Sequence, residues 1–221
     1  MSFFDRIDAG RQLAKALASY KNQHVVVLAL PRGGVPVAAQ VAEALKAPLD
    51  LILVRKIGVP TQPELAMGAV VDGASPLIVR NEEVIQFAGV EETDFQKVCE
   101  DELAEIERRR KLYLGDRARI DVAGRIAIVV DDGIATGATT RAALRATRAR
   151  KPKKLVLAVP VASSESLEQL QREADEVLCL EDHEPFGAIG YYYRDFRQTS
   201  DREVIDALER CAPAPAKGEA Q

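Results

Sequence analysis

Two adjacent carboxylates, Asp131 and Asp132, close a short β-branched run, and Gly133-Ile134-Ala135-Thr136-Gly137-Ala138-Thr139-Thr140 follows them directly. Such a pair can chelate Mg2+, accept hydrogen bonds from sugar hydroxyls, or stabilise positive charge developing on a sugar ring. Thr136-Gly137-Ala138-Thr139-Thr140 supplies hydroxyls and small side chains ahead of a stretch rich in helix formers, 141–148. The N–H groups that open such a helix make a nest suited to a phosphate monoester. The loop lacks the lysine of Gly-x-x-x-x-Gly-Lys-Ser/Thr and the spacing of Gly-x-Gly-x-x-Gly, which argues against nucleoside triphosphate and dinucleotide sites. If the two acids only capped a turn, the phosphate-type loop behind them would have no explanation.

Charge recurs at two other strand ends. Pro31-Arg32-Gly33-Gly34 breaks the apolar run 25–30 ahead of an Ala/Val/Leu helix at 35–47. Its glycines let backbone N–H groups approach a ligand closely, and Arg32 favours phosphate binding over a plain tight turn. Arg55-Lys56 ends a strand at 49–54, and a polar stretch with two prolines follows at 58–64. These cations fall at the edge where the other two loops converge, which favours function over solvated surface. Late in the chain, 186–196 gathers Phe186, Tyr191, Tyr192, Tyr193 and Phe196, either as core or as a stacking surface for a planar ligand.

The elements that must hold these groups alternate. Buried-strand signals at 25–30, 49–54, 126–130, 155–159 and 176–180 are separated by helical patterns, including 8–18, 35–47, 141–148 and 165–173, and a helix closes the series at 201–210. That alternation predicts an α/β fold with a mostly parallel central sheet flanked by helices, whose ligands lie at the carboxyl ends of the strands. Short strands at 67–71 and 77–79 surround a turn at 72–76. A helical insertion over 81–114 reads as two helices meeting near Gly89, the second opened by a Thr93/Gln96 capping box. Its acids come early and Arg108-Arg109-Arg110-Lys111 late, as the helix dipole prefers, so anion binding by that run is the minority reading. Residues 1–211 are expected to form a single domain, and 212–221 a disordered tail.

With 221 residues, 47% of them apolar, the chain can bury a substantial core, and a net charge of −4 argues against a broad nucleic-acid surface. The apolar stretch 25–31 is too short to cross a bilayer, and the first residues lack a signal-peptide hydrophobic segment. Cys99, Cys179 and Cys211 stand apart, without metal-ligand or disulfide spacing. A cytoplasmic protein with neither membrane nor nucleic-acid partners is expected.

Val129-Val130-Asp131-Asp132-Gly133-Ile134-Ala135-Thr136-Gly137-Ala138-Thr139 resembles the signature of the type I phosphoribosyltransferases, which bind 5-phosphoribosyl-1-pyrophosphate. Together with Leu30-Pro31-Arg32-Gly33-Gly34-Val35-Pro36 and Val54-Arg55-Lys56-Ile57-Gly58, it is similar to a bacterial subgroup of predicted phosphoribosyltransferases. The resemblance implies a small hood built from chain termini or late loops. It also implies that Ala135, Thr136, Gly137, Ala138, Thr139 and Thr140 hold the 5′-phosphate while Asp131 and Asp132 face the ribose and stabilise an oxocarbenium-like transition state. Arg32 and Gly33 would form the pyrophosphate loop, which often carries a cis peptide, and Arg55 and Lys56 would be a second pyrophosphate segment. The 58–64 stretch would belong to a mobile loop that closes over the site. Mg2+ would be the cofactor, with Asp131, Asp132 and Asp195 near it, and Phe186 would stack on the acceptor base.

Ala135 stands where 6-oxopurine members carry an Asp, as adenine-type members also have it, whereas 186–196 is similar to the 6-oxopurine base segment; the acceptor stays open between them. A homodimer is the common assembly in the family. The implied reaction is Mg2+-dependent transfer of phosphoribose to a nitrogenous base with release of pyrophosphate. A non-catalytic sensor of the donor or of a nucleotide is the alternative, and a hydrolase of a phosphorylated sugar is a third reading.

Overall fold

Strands that are apolar on both faces need helices on both sides, and this chain supplies them. The computed structural model describes residues 2–73 and 76–212. Beyond Ala212, the tail expected at 212–221 lies outside the described residues. In β1 (Val25–Ala29), Val25, Val27 and Ala29 enter one core layer while Val26 and Leu28 enter the other. β6 (Ile126–Val130) divides the same way, Ile126, Ile128 and Val130 against Ala127 and Val129. With β2 (Leu49–Leu51), β7 (Lys154–Ser163) and β8 (Glu176–His183), they form the expected parallel sheet, five-stranded in the order β2-β1-β6-β7-β8. The helices α1 (Arg6–Ala16), α2 (Gly34–Leu45) and α7 (Asp201–Arg210) supply side chains to the first layer. The second takes them from α5 (Ala138–Ala149) and α6 (Ser164–Leu170).

The order of the strands places the site. After β1 the chain steps outward to β2, then returns to the other side of β1 as β6. The carboxyl ends of β1 and β6 therefore flank a topological switch point, where open α/β sheets bind ligands. Between β2 and β6 the chain builds a second, antiparallel sheet from β3 (Val54–Val59), β4 (Gln62–Val71) and β5 (Leu77–Arg80). Two helices follow, α3 (Glu82–Ala88) and α4 (Glu92–Leu114), joined at left-handed Gly89 as its position predicts. Helix α4 packs on β3 and α7, and α5 lies against β3 and β4.

Three local expectations are corrected. The second strand of the central sheet stops at Leu51, and Val54 already belongs to the antiparallel sheet. The stretch 58–64 is a hairpin, not a polar loop: only Pro60 and Thr61 separate β3 from β4. Pro63 is tolerated there because the register shifts around Gly58, whose missing Cβ leaves room for the Pro63 carbonyl. The second insertion helix starts after Glu91, with no side-chain cap, and Gln96 bonds to Glu92 at 3.2 Å instead of closing a box with Thr93.

A small hood stands over the end of the sheet, made from residues 2–8 and the late loop. Phe3 is buried against Tyr193, with ring centroids 5.4 Å apart. Backbone bonds run from Ser2 and Phe3 N–H to the Tyr192 carbonyl, and from Arg194 and Asp195 N–H to the Phe3 and Phe4 carbonyls. Among the described residues, no helix is long and apolar enough to cross a membrane.

Candidate functional site

The acidic pair at the end of β6 is split by its surroundings. Asp132 is nearly buried, and its Oδ2 lies 2.7 Å from Nε of Arg6 in the first turn of α1. Its backbone carbonyl accepts the Tyr193 hydroxyl at 2.6 Å. Asp131 keeps no cation within ion-pair distance among the described residues, and its Oδ1 accepts the Asp132 N–H at 2.9 Å. Burial, reinforced by the neighbouring Asp132 charge, raises the Asp131 carboxyl well above the ordinary carboxylate range. The β1–α2 loop presses directly on the pair. A Cβ on Gly33 would collide with the Asp132 carboxylate, and one on Gly34 would lie 2.9 Å from the Asp131 Cα. The Pro31–Arg32 peptide in that loop is cis.

Beyond the acids, the chain makes a bridge to β7 at Ile134, and the Ala135 carbonyl accepts the hydroxyls of Ser163 and Ser166 at 2.8 and 2.7 Å. Left-handed Gly137, at φ 72°, turns the backbone into α5 and caps that helix without a side-chain bond. The opening N–H groups of α5 are thus left for another acceptor. Ala135, Thr136 and Ala138 are exposed, Thr139 is half-buried and Thr140 is buried. Of the six residues expected to form a phosphate loop, three are exposed, while Gly137 and Thr140 are buried.

On the other side of the β1–α2 loop, a cavity of about 540 Å3 is lined by Pro31, Arg55, Lys56, Glu64, Arg109 and Thr139, among others. Arg55 Nε is 2.5 Å from Glu102 on α4, and Lys56 is loosely paired with Glu64 at 3.9 Å. Arg32 turns toward α7, with Nη1 3.5 Å from Asp201 Oδ1. The same Asp201 oxygen accepts the Tyr113 hydroxyl at 2.6 Å. That bond, helped by the Arg32 charge, holds Asp201 below its ordinary range, while burial and Asp201 push Tyr113 up to about 12. The structure thus brings Arg55, Lys56 and Thr139 to one cavity, whereas Arg32 pairs with Asp201 and only its neighbour Pro31 is in the lining.

The remaining candidates sit in the hood. Phe186 stacks on Tyr192 at 5.1 Å, and Tyr192 on His183 at 4.5 Å. Asp195 accepts the N–H of Arg197 at 3.1 Å and lines a cleft of about 60 Å3 with Arg6 and Glu203. Among the described residues no group of three or more His, Cys, Asp or Glu forms a metal cage, so Asp195 does not join Asp131 and Asp132 in one. Sequence reasoning passed over Arg6 and Glu102 as site residues, met Tyr193 only as part of the aromatic cluster, and left anion binding by the run that holds Arg109 as the minority reading. Arg6 carried one signal: it is a cation in the first turn of a helix, where the dipole disfavours positive charge unless an acid answers it.

A family model described as the phosphoribosyl transferase domain matches residues 5–195. The chain is 49% identical over 208 residues to two Mycobacterium tuberculosis proteins, named "Putative phosphoribosyl transferase Rv0571c" (strain H37Rv) and "Putative phosphoribosyl transferase MT0597" (strain CDC 1551). That match covers 94% of this chain and 46% of each relative, so the chain spans about half their length. The crystal structure of TT1426 from Thermus thermophilus superposes with a TM-score of 0.82 at 39% identity, covering 96% of this chain and 100% of that one.

Proposed function

The chain belongs to the phosphoribosyl transferase domain family, and from that premise we propose that it transfers phosphoribose from 5-phosphoribosyl-1-pyrophosphate to a nitrogenous base, releasing pyrophosphate. One observation carries the reading. The loop whose Gly33 and Gly34 touch the acidic pair also contributes Pro31 to the cation-lined cavity, and that cavity reaches Thr139 in the uncapped first turn of α5. A ligand with a phosphate at one end, a sugar in the middle and a diphosphate at the other matches that sequence of surfaces.

The roles follow from the surroundings. The open N–H groups from Ala135 to Thr139 hold the 5′-phosphate, and Thr140, buried behind them, packs the turn. Arg55 and Lys56 receive the leaving pyrophosphate, joined by Arg32 once it exchanges Asp201 for the ligand. Asp132, fixed by Arg6 and by the Tyr193 hydroxyl on its carbonyl, presents a preorganised negative charge to the ribose as positive charge develops on the ring. Mg2+ usually takes one or two carboxylates and fills its remaining positions with phosphate oxygens and water. Asp131, free of a cation partner among the described residues, fits that demand; Asp132 is the second acid in reach, and Asp195 forms no three-acid group with them among the described residues. Bound there, Mg2+ would neutralise charge on the pyrophosphate. Phe186, stacked on Tyr192, is the aromatic we assign to the planar acceptor.

The test is to incubate the protein with the donor, Mg2+ and a panel of nucleobases while following pyrophosphate release. Base-dependent release is expected. Tight donor binding without turnover on any base would favour the sensor instead. The Asp131→Asn/Asp132→Asn double variant should lose turnover while keeping its fold by circular dichroism, and normal activity in that variant would remove the acids from the mechanism.

A further inference from the structure

Helix α4 belongs to the insertion between the antiparallel sheet and β6, and its basic end reads from sequence as a dipole complement. In the structure one residue of that run has a different setting. Arg109 lines the cavity shared by Pro31, Arg55, Lys56 and Thr139. Its Nε is held 2.7 Å from Glu105 one turn back, while among the described residues its terminal nitrogens make no hydrogen bond to protein. Glu105 is gripped by both Arg108 and Arg109, which hold its carboxyl down to about 2. The guanidinium is therefore pre-aimed, with a donor fork left over, the form in which arginine recognises phosphate. In the cavity lining, Arg55, Lys56 and Arg109 face Glu64 and Glu102, and the Arg55 Nε is already engaged by Glu102.

We propose that Arg109 is a substrate-binding residue, whose terminal nitrogens bind the diphosphate of the ligand in this cavity. The insertion helix thereby forms a wall of the site. This rests on the phosphoribosyl transfer reading and adds to it a residue outside the signature motifs. Glu105 is the positioning residue behind it.

The experiment titrates inorganic pyrophosphate with Mg2+, and separately the phosphoribosyl donor, into the full chain and the variants Arg109→Gln, Arg109→Lys and Arg108→Gln. Arg108 is the matched control: it bonds the same Glu105, carries the same charge on the same helix, has a side chain 61% exposed and does not line the cavity. Losing charge-assisted hydrogen bonds should weaken pyrophosphate binding about tenfold or more in Arg109→Gln. Arg108→Gln should stay within about twofold of the unmodified protein, since its charge is exposed and screened and its side chain does not line the cavity. Arg109→Lys should recover part of the loss, because it restores charge without the fork. Equal weakening in Arg108→Gln and Arg109→Gln, or none in Arg109→Gln while the unmodified protein binds pyrophosphate, would overturn the assignment and leave the transfer reading standing. Failure of the unmodified protein to bind either ligand would overturn both.

Discussion

Asp132 shows how much one residue's neighbours decide. Its side chain and that of Arg6 are each only 11% exposed, so removing either leaves a charge with little water to answer it. Arg6→Ala should therefore cost about 3 kcal/mol in urea denaturation, whereas adding Asp132→Asn should give back part of that loss. Additive effects of the two substitutions would mean that the pair is not made in solution. Gly33→Ala is a second case, because the new methyl would meet the Asp132 carboxylate. Relief requires the Asp132 carboxylate to leave its place against Arg6, so a cost of about 1–3 kcal/mol is expected, with donor affinity falling alongside stability. Unchanged stability and affinity would show that the carboxylate gives way freely. The acids themselves were legible in the sequence, since adjacent carboxylates at the end of a buried β-branched run have few structural uses. Arg6 was not. Its partner lies 126 positions away, and no local spacing rule reaches that far.

At the level of elements, the order of charges along α5 sets its contact with the next β–α unit. Arg145 and Arg148 meet Glu173 and Asp175 at 2.6 and 2.8 Å, and Arg141 meets Gln169. Hydrogen bonds from the arginines hold both carboxyls below their ordinary ranges. A depressed folded-state pKa gives stability that is present above the unfolded value, near 4, and is lost as pH falls through the folded value. The melting temperature should therefore fall on acidification below about pH 4, and more gently in Arg145→Met/Arg148→Met. At neutral pH that variant should lose little, because partly exposed pairs contribute about 0.2–1 kcal/mol each. Identical acid slopes would show these pairs to be unmade. Parallel strands and their helices were readable because uninterrupted apolar runs have few other uses in a chain of this length. The hairpin of β3 and β4 was not, because Pro60 and Pro63 carry the local signature of a loop, and only pairing across Gly58 makes Pro63 strand and Pro60 part of a two-residue turn. The Thr93/Gln96 box failed for a similar reason: a side-chain motif competes with Glu92, which takes Gln96 first.

Across the whole molecule, the site is closed by pieces from opposite ends of the described chain. Phe3 is 1% exposed, the Arg6 guanidinium lies 3.9 Å above the Phe196 ring, and the Tyr193 hydroxyl reaches the Asp132 carbonyl. The resemblance implied a hood of this kind. A single Phe near the start, though, cannot be assigned to a core from local sequence, since its burial depends wholly on strand-like pairing with 192–195. Phe3→Ala should cost about 3–5 kcal/mol if the whole molecule pays for the cavity. A hood that opens as its own unit would behave differently: its local opening would become easier while the parallel sheet held. Limited proteolysis separates the two cases. Early cleavage within 186–197 at denaturant levels where the sheet keeps its circular dichroism is the expected result. It should come with weaker donor binding, because Asp132 loses the Tyr193 bond and Arg6 loses its Phe196 platform together. Cleavage only at global unfolding would make the hood part of one cooperative core. In that case Phe3→Ala should lower stability without weakening donor binding in the molecules that stay folded.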